Sequence, residues 1–150
     1  MAESFVEKEL LENGAYVLKT AGTSMRPLFK EGRDTVIIER AEHPLKKYDV
    51  VLYRAGEGRY VLHRVLSVCD GYYIIRGDNT FVLEKVPFDE VVGVLSSFHR
   101  GKSFHRVSEF GYKLYSRFWN FIYPIRAFFR GLRLFLGRLY RKIFKRKGSK

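Results

Sequence analysis

Cysteine is nearly missing: Cys69 is the single one in 150 residues. A lone thiol excludes an internal disulfide and any zinc site built on two or more cysteine ligands from this chain, so the fold need not see an oxidising compartment. His43, His99 and His105 show no mutual spacing that suggests a metal site, and neither a metal nor a cofactor is expected. Acid is missing from one region. All 16 Asp and Glu lie in residues 1–110, where 16 Lys and Arg balance them, while residues 111–150 hold 12 Lys and Arg and no acid. The net charge of +12 therefore belongs to the last forty residues. Also lacking at the N-terminus is a basic segment followed by an apolar run: Met1, Ala2, Glu3, Ser4, Phe5, Val6 and Glu7 are acidic instead, so no secretory signal is read there and the globular part is expected in the cytoplasm.

What is present is globular. Hydrophobic residues make up 46% and charged residues 29%, which excludes wholesale disorder and a polytopic membrane protein. The length allows one domain of about 100 residues with an appendage. Val6, Leu10 and Leu11 recur at helical spacing among glutamates and Asn13-Gly14 supplies a stop, predicting a short N-terminal helix. Then the pattern turns to β. Tyr16 to Leu18, Thr35 to Ile38, Val50 to Tyr53, Tyr60 to Val68, Tyr72 to Ile75 and Val91 to Leu95 are rich in β-branched and aromatic residues, and Gly, Pro, Asp and Asn clusters divide them. The expected fold is mainly β: a small antiparallel domain over 1–105 with a short N-terminal helix, followed by a basic amphipathic helical tail over 106–150.

The run Gly22, Thr23, Ser24, Met25, Arg26, Pro27, Leu28 follows a predicted strand and precedes a stretch read as helical. A serine at a helix start lies where backbone N–H groups can hold a developing oxyanion, although Ser or Thr at that place also serves simply as an N-cap. Lys47 to Tyr53, then Tyr60, Val61, Leu62, His63, Arg64, Val65, then Ile75, Arg76, Gly77, Asp78, Asn79, and finally Val91 to Val94 form further boxes along the chain.

In this order, over roughly residues 15 to 98, the boxes resemble those of the type I signal peptidase and LexA-like serine peptidase superfamily. Tyr48 stands where that pattern has Gly. The resemblance implies a serine endopeptidase that cleaves a leader or signal segment of a peptide or protein substrate, with small apolar residues before the cut. It makes Ser24 the nucleophile and His63 the general base, as in endoplasmic-reticulum-type members, where many relatives use Lys. Imidazole, with an ordinary pKa of about 6.5, is mostly neutral at pH 7 and so able to accept the serine proton. The acid that orients His63 is Asp78 or Glu84. Asp78 ranks first because it matches a motif, whereas Glu84 matches an offset of six residues; an Asx-turn is the alternative role of Asp78. The oxyanion hole would rest on the Ser24 N–H with Thr23 as helper, since Gly22 replaces a Ser found in some members. Gly22, Met25, Pro27, Arg64, Gly77 and Asn79 complete the boxes, with Met25 packing beneath the site. Two rival readings remain: a self-cleaving or non-catalytic LexA-like regulator, although Ala21-Gly22 abuts the nucleophile and cannot reach it, and a binding module without activity.

The tail follows a different code. At 100° per residue Arg126, Arg130, Arg133, Arg141 and Lys145 share one side, and Phe128, Phe129, Leu132, Phe135, Leu136, Leu139 and Ile143 the other. Spanning a bilayer would cost on the order of 10 kcal/mol for the four arginines within residues 121–139, against roughly 3 to 6 returned by apolar side chains. Lying on an anionic membrane surface is favoured at about 1 kcal/mol per cation, ahead of docking on protein and then nucleic acid, since a continuous apolar stripe is unnecessary for phosphate binding. The chain is expected to be peripheral to the membrane through this tail.

Overall fold

Gly14, in the left-handed region at φ 71, ends a first helix, α1 (Phe5–Asn13), and turns the chain into β structure. The computed structural model describes residues 5–145. Its strands are β1 (Ala15–Lys19), β2 (Thr35–Arg40), β3 (Val50–Ala55), β4 (Arg59–Val68), β5 (Tyr72–Arg76), β6 (Glu84–Pro87), β7 (Val91–Arg100) and β8 (Ser103–Arg106), with helices α2 (Phe110–Phe121) and α3 (Tyr123–Lys145) after them. All pairings are antiparallel in the order β1-β2-β7-β3-β4-β5-β6, and β8 pairs with β7.

The central strand β3 explains how one sheet serves two cores. Val50, Val51, Leu52 and Tyr53 are all buried, and alternation sends them to opposite faces. Val50 and Leu52 join Leu10, Met25, Phe29, Val36, Ile38 and Phe98. Val51 and Tyr53 join Val65, Tyr73, Ile75 and Val86 on the other face. Each such side chain is worth about 1.5–3 kcal/mol relative to exposure, so strand identity here is dictated by packing on both sides. The register Val51↔His63 and Val50↔Arg64 then fixes the candidate site, because partners across a ladder share a face. His63 goes with Val51 and Tyr53, and its neighbour Arg64 goes the opposite way.

One expectation needs correction. The stretch after Ser24 forms turns, with Arg26 N–H donating to the Thr23 carbonyl at 3.2 Å and Phe29 N–H to that of Met25 at 3.0 Å, and not a helix. Pro27 has no N–H to continue a ladder and disfavours α geometry at Arg26. The segments Glu84–Pro87 and Ser103–Arg106 are strands too short to show a period of their own. The first compact unit runs to Ser116, and the second is 117–150. The inward-facing Tyr112, Tyr115 and Ser116 of α2 carry that first unit past β8.

In the second unit the Arg126 guanidinium lies 3.7 Å over the ring of Trp119. Along α3, Phe128, Phe129, Leu132, Phe135, Leu136 and Leu139 are exposed, as are Arg130, Arg133 and Arg141. The side chains of Ile143 and Lys145 lie outside the described residues. Pro124 falls in the first turn of α3, where its missing N–H costs nothing. No described helix is long and apolar enough to cross a membrane.

Candidate active site

Ser24 sits in a loop between β1 and β2 that is closed at its base and clasped at its tip. At the base Thr20 N–H donates to the Asp34 carbonyl at 3.0 Å and Gly32 N–H to that of Thr20 at 3.1 Å. Glu31 accepts from the Gly22 N–H at 2.9 Å. At the tip, Asn79 N–H donates to the Ser24 carbonyl at 2.7 Å and Asn79 Nδ2 to the Thr23 carbonyl at 3.2 Å. Met25 and Phe29 anchor the loop from beneath by burial in the first core. Ser24 itself is half-buried, and its N–H donates to no protein acceptor among the described residues. That leaves one backbone donor beside the hydroxyl for an oxyanion. Thr23 is exposed next to it.

Gly77 is where this loop meets β4. A Cβ on Gly77 would stand 2.7 Å from the Ser24 carbonyl oxygen and 2.9 Å from His63 Nε2. The serine backbone and the imidazole nitrogen that would take its proton thus crowd one point, no farther apart than those two distances laid end to end. Only a residue without a side chain allows that approach.

His63 is buried, with 7% of its side chain exposed. Its Nδ1 is 2.9 Å from Glu84 Oε1, a contact bent away from the line of an ideal N–H···O hydrogen bond. Catalytic hydrogen bonds without substrate are commonly of this kind. The second Glu84 oxygen accepts a hydrogen bond of 2.5 Å from the Tyr53 hydroxyl. Burial holds the His63 pKa below its ordinary 6.5, and the charges of Glu84 and Asp78 offset this only in part, so burial favours the neutral ring. Burial and the hydrogen bond to Glu84 push the Tyr53 phenol up, so it stays a donor.

Asp78, the first-ranked candidate for the orienting acid, is engaged by Arg64. Its carboxylate forks onto Arg64, with Oδ1 2.7 Å from Nε and Oδ2 2.7 Å from Nη2, both residues buried. Arg64 Nη1 also donates to Ser116 Oγ at 2.9 Å, the Tyr48 carbonyl at 2.9 Å and Tyr112 at 3.3 Å, and the Tyr115 hydroxyl donates to Asp78 Oδ2 at 2.9 Å. Burial opposes the guanidinium charge, and Asp78 more than offsets it. This pair braces the turn bearing Gly77 from the face opposite His63. Tyr48, at the position where Gly was expected, has φ 79, the left-handed backbone that glycine adopts without strain.

Beside Ser24 runs a cleft of about 200 Å³, floored by Leu18, Met25, Phe29, Leu52 and Leu62. Over Arg59–His63, β4 pairs only with β3, its pairing with β5 starting at Arg64, so its other edge faces this region unladdered. Of the remaining histidines, His43 bonds Tyr73 at 2.8 Å, His105 lies 3.3 Å from Glu109, and His99 packs on Phe104. Among the described residues no cluster of His, Cys, Asp and Glu could hold a metal ion.

Tyr53 and the α2 residues were not singled out in sequence. A buried tyrosine in an apolar strand needs a partner for its hydroxyl, and Tyr112, Tyr115 and Ser116 have the i, i+3, i+4 spacing of one helix face; both were available signals. Compared with known proteins, the chain matches no family model and no curated sequence.

Proposed function

We propose that the chain is a serine endopeptidase of the signal-peptidase kind, in which Ser24 attacks a peptide carbonyl, His63 takes the serine proton and later protonates the leaving amine, and Glu84 orients the imidazole. The observation that carries this is the convergence at Gly77: the Ser24 carbonyl and His63 Nε2 crowd one point while an acid stands at Nδ1. It supports a Ser–His–acid arrangement drawn from a loop and two strands, with a ring that burial keeps neutral. The free Ser24 N–H serves the oxyanion. A substrate in extended form would add its backbone to the open edge of β4 and set small apolar side chains in the cleft.

The tail supports delivery to an anionic membrane surface. An exposed apolar stripe faced by arginines fits the interface between headgroup and acyl chain better than it fits water. With Arg126 on Trp119, the exposed cationic side of the described residues includes Arg130, Arg133 and Arg141.

The experiment is a Ser24→Ala protein assayed against a membrane-inserted leader peptide. Loss of cleavage is expected, because alanine cannot form the acyl intermediate; cleavage at the parental rate removes the proposal. Mass spectrometry of the same proteins separates a self-cleaving regulator, which would shorten its own chain in a Ser24-dependent way.

A further inference from the structure

The Tyr53 hydroxyl reaches across the second core to the carboxylate that faces His63. Tyr53 is 3% exposed on β3, Glu84 opens β6, and His63 lies between them on β4, its ring centroid 6.0 Å from that of Tyr53. Glu84 is the solvent-facing member of this set, with a third of its side chain exposed. A carboxylate at a strand end, left alone, turns toward water, because solvation there competes with one bent contact to an imidazole. The phenol removes that freedom. It donates to Oε2 at 2.5 Å from a ring buried in the second core, which turns Oε1 toward Nδ1.

We propose that Tyr53 is a positioning residue of the site, its hydroxyl holding Glu84 so that the other carboxylate oxygen stays on Nδ1 of His63. This rests on the peptidase reading for its consequence in catalysis, and on the geometry alone for its consequence at the imidazole. Fixing the acceptor at Nδ1 fixes the tautomer with Nε2 free to accept a proton, and it fixes the ring's rotation toward Ser24. Packing alone would not demand the oxygen: Val51, Val65, Ile75 and Val86 surround the ring, and phenylalanine would fill the same space. The charged and titratable groups around the pair are Glu84 from β6, Asp78 from the turn after β5, and Glu90, whose charge acts on the phenol. Among these groups Glu84 is the one with a carboxylate oxygen on each of Tyr53 and His63.

The test is Tyr53→Phe beside Glu84→Gln in the full chain, read in two ways. Ring NMR of His63 follows its titration without any need for activity. With the hydroxyl gone, Glu84 swings to solvent and its charge no longer supports imidazolium, so the His63 titration moves to lower pH, in the same direction as in Glu84→Gln and by less. Cleavage by Tyr53→Phe falls by up to about 10²-fold in kcat with KM unchanged, as expected for a misaligned base. A His63 titration that stays in place or moves to higher pH overturns the proposal, and so does an unchanged kcat in an enzyme that needs Ser24. If Ser24→Ala proves fully active, the peptidase reading fails, and the His63 titration still decides the role of Tyr53.

Discussion

Asp78 binds Arg64 through both carboxylate oxygens at 2.7 Å, and in doing so leaves the imidazole next along β4 to Glu84. Two acids six residues apart thus hold different jobs. One neutralises a buried guanidinium beneath the site and the other faces the candidate base.

Removing each acid should therefore give opposite signatures. Asp78→Asn leaves the Arg64 charge buried and unpaired, and a loss of about 3–5 kcal/mol of stability is expected, visible as a large drop in melting temperature. Glu84→Gln sits at a partly exposed strand end, so its melting temperature should change little while cleavage falls about 10²-fold or more. Equal melting curves for the two variants would show that the assignment of roles is mistaken.

The pH dependence follows from burial of His63. A pKa held below 6.5 means the ring takes its proton only in more acid solution, so kcat/KM should stay level from neutral pH down to about 6.5 and fall below it. Glu84 raises this pKa, so Glu84→Gln should move the acid limb further down. His63→Ala should lose about 10² to 10⁴ in rate. A limb centred above 6.5 in the parent would point to a different base.

Gly77→Ala tests the crowded point itself. A methyl group 2.7 Å from a backbone oxygen and 2.9 Å from Nε2 must push the serine loop and the imidazole apart. Overpacking of this kind costs about 1–3 kcal/mol. The protein should fold, with cleavage down about 10²-fold by misplacement of the base. Thermal melts alongside rates would separate the two effects, and full activity would mean that the approach at Gly77 plays no part in the reaction.

Tyr48 invites the reverse change. Its left-handed backbone costs about 1–2 kcal/mol in an L-residue, and glycine gives back about 0.5–1 through its freer unfolded chain. Tyr48→Gly should therefore raise stability by up to about 1 kcal/mol, measured by denaturant unfolding, without changing the rate. Its carbonyl contact to Arg64 is backbone and survives.

Local pattern was enough for much of this molecule. The β-branched runs that became β2, β3, β4, β5 and β7, the stop at Asn13-Gly14, and the serine, histidine and glycine boxes are properties of neighbouring residues, because a period of two and a turn residue act within a few positions. The exposed apolar and cationic sides of α3 follow likewise from a period of 3.6. What lay beyond reach depends on which strands become neighbours. Glu84 meets His63 through the ladder β4-β5-β6, Tyr53 reaches both from β3, and the helix face bearing Tyr112, Tyr115 and Ser116 turns inward to meet Arg64 and Asp78 and the first core. No spacing along the chain encodes those meetings, since register and sheet closure are set by the whole core at once. The choice between Asp78 and Glu84 was therefore a tertiary decision: whichever carboxylate the buried guanidinium captured, the other was left to the imidazole.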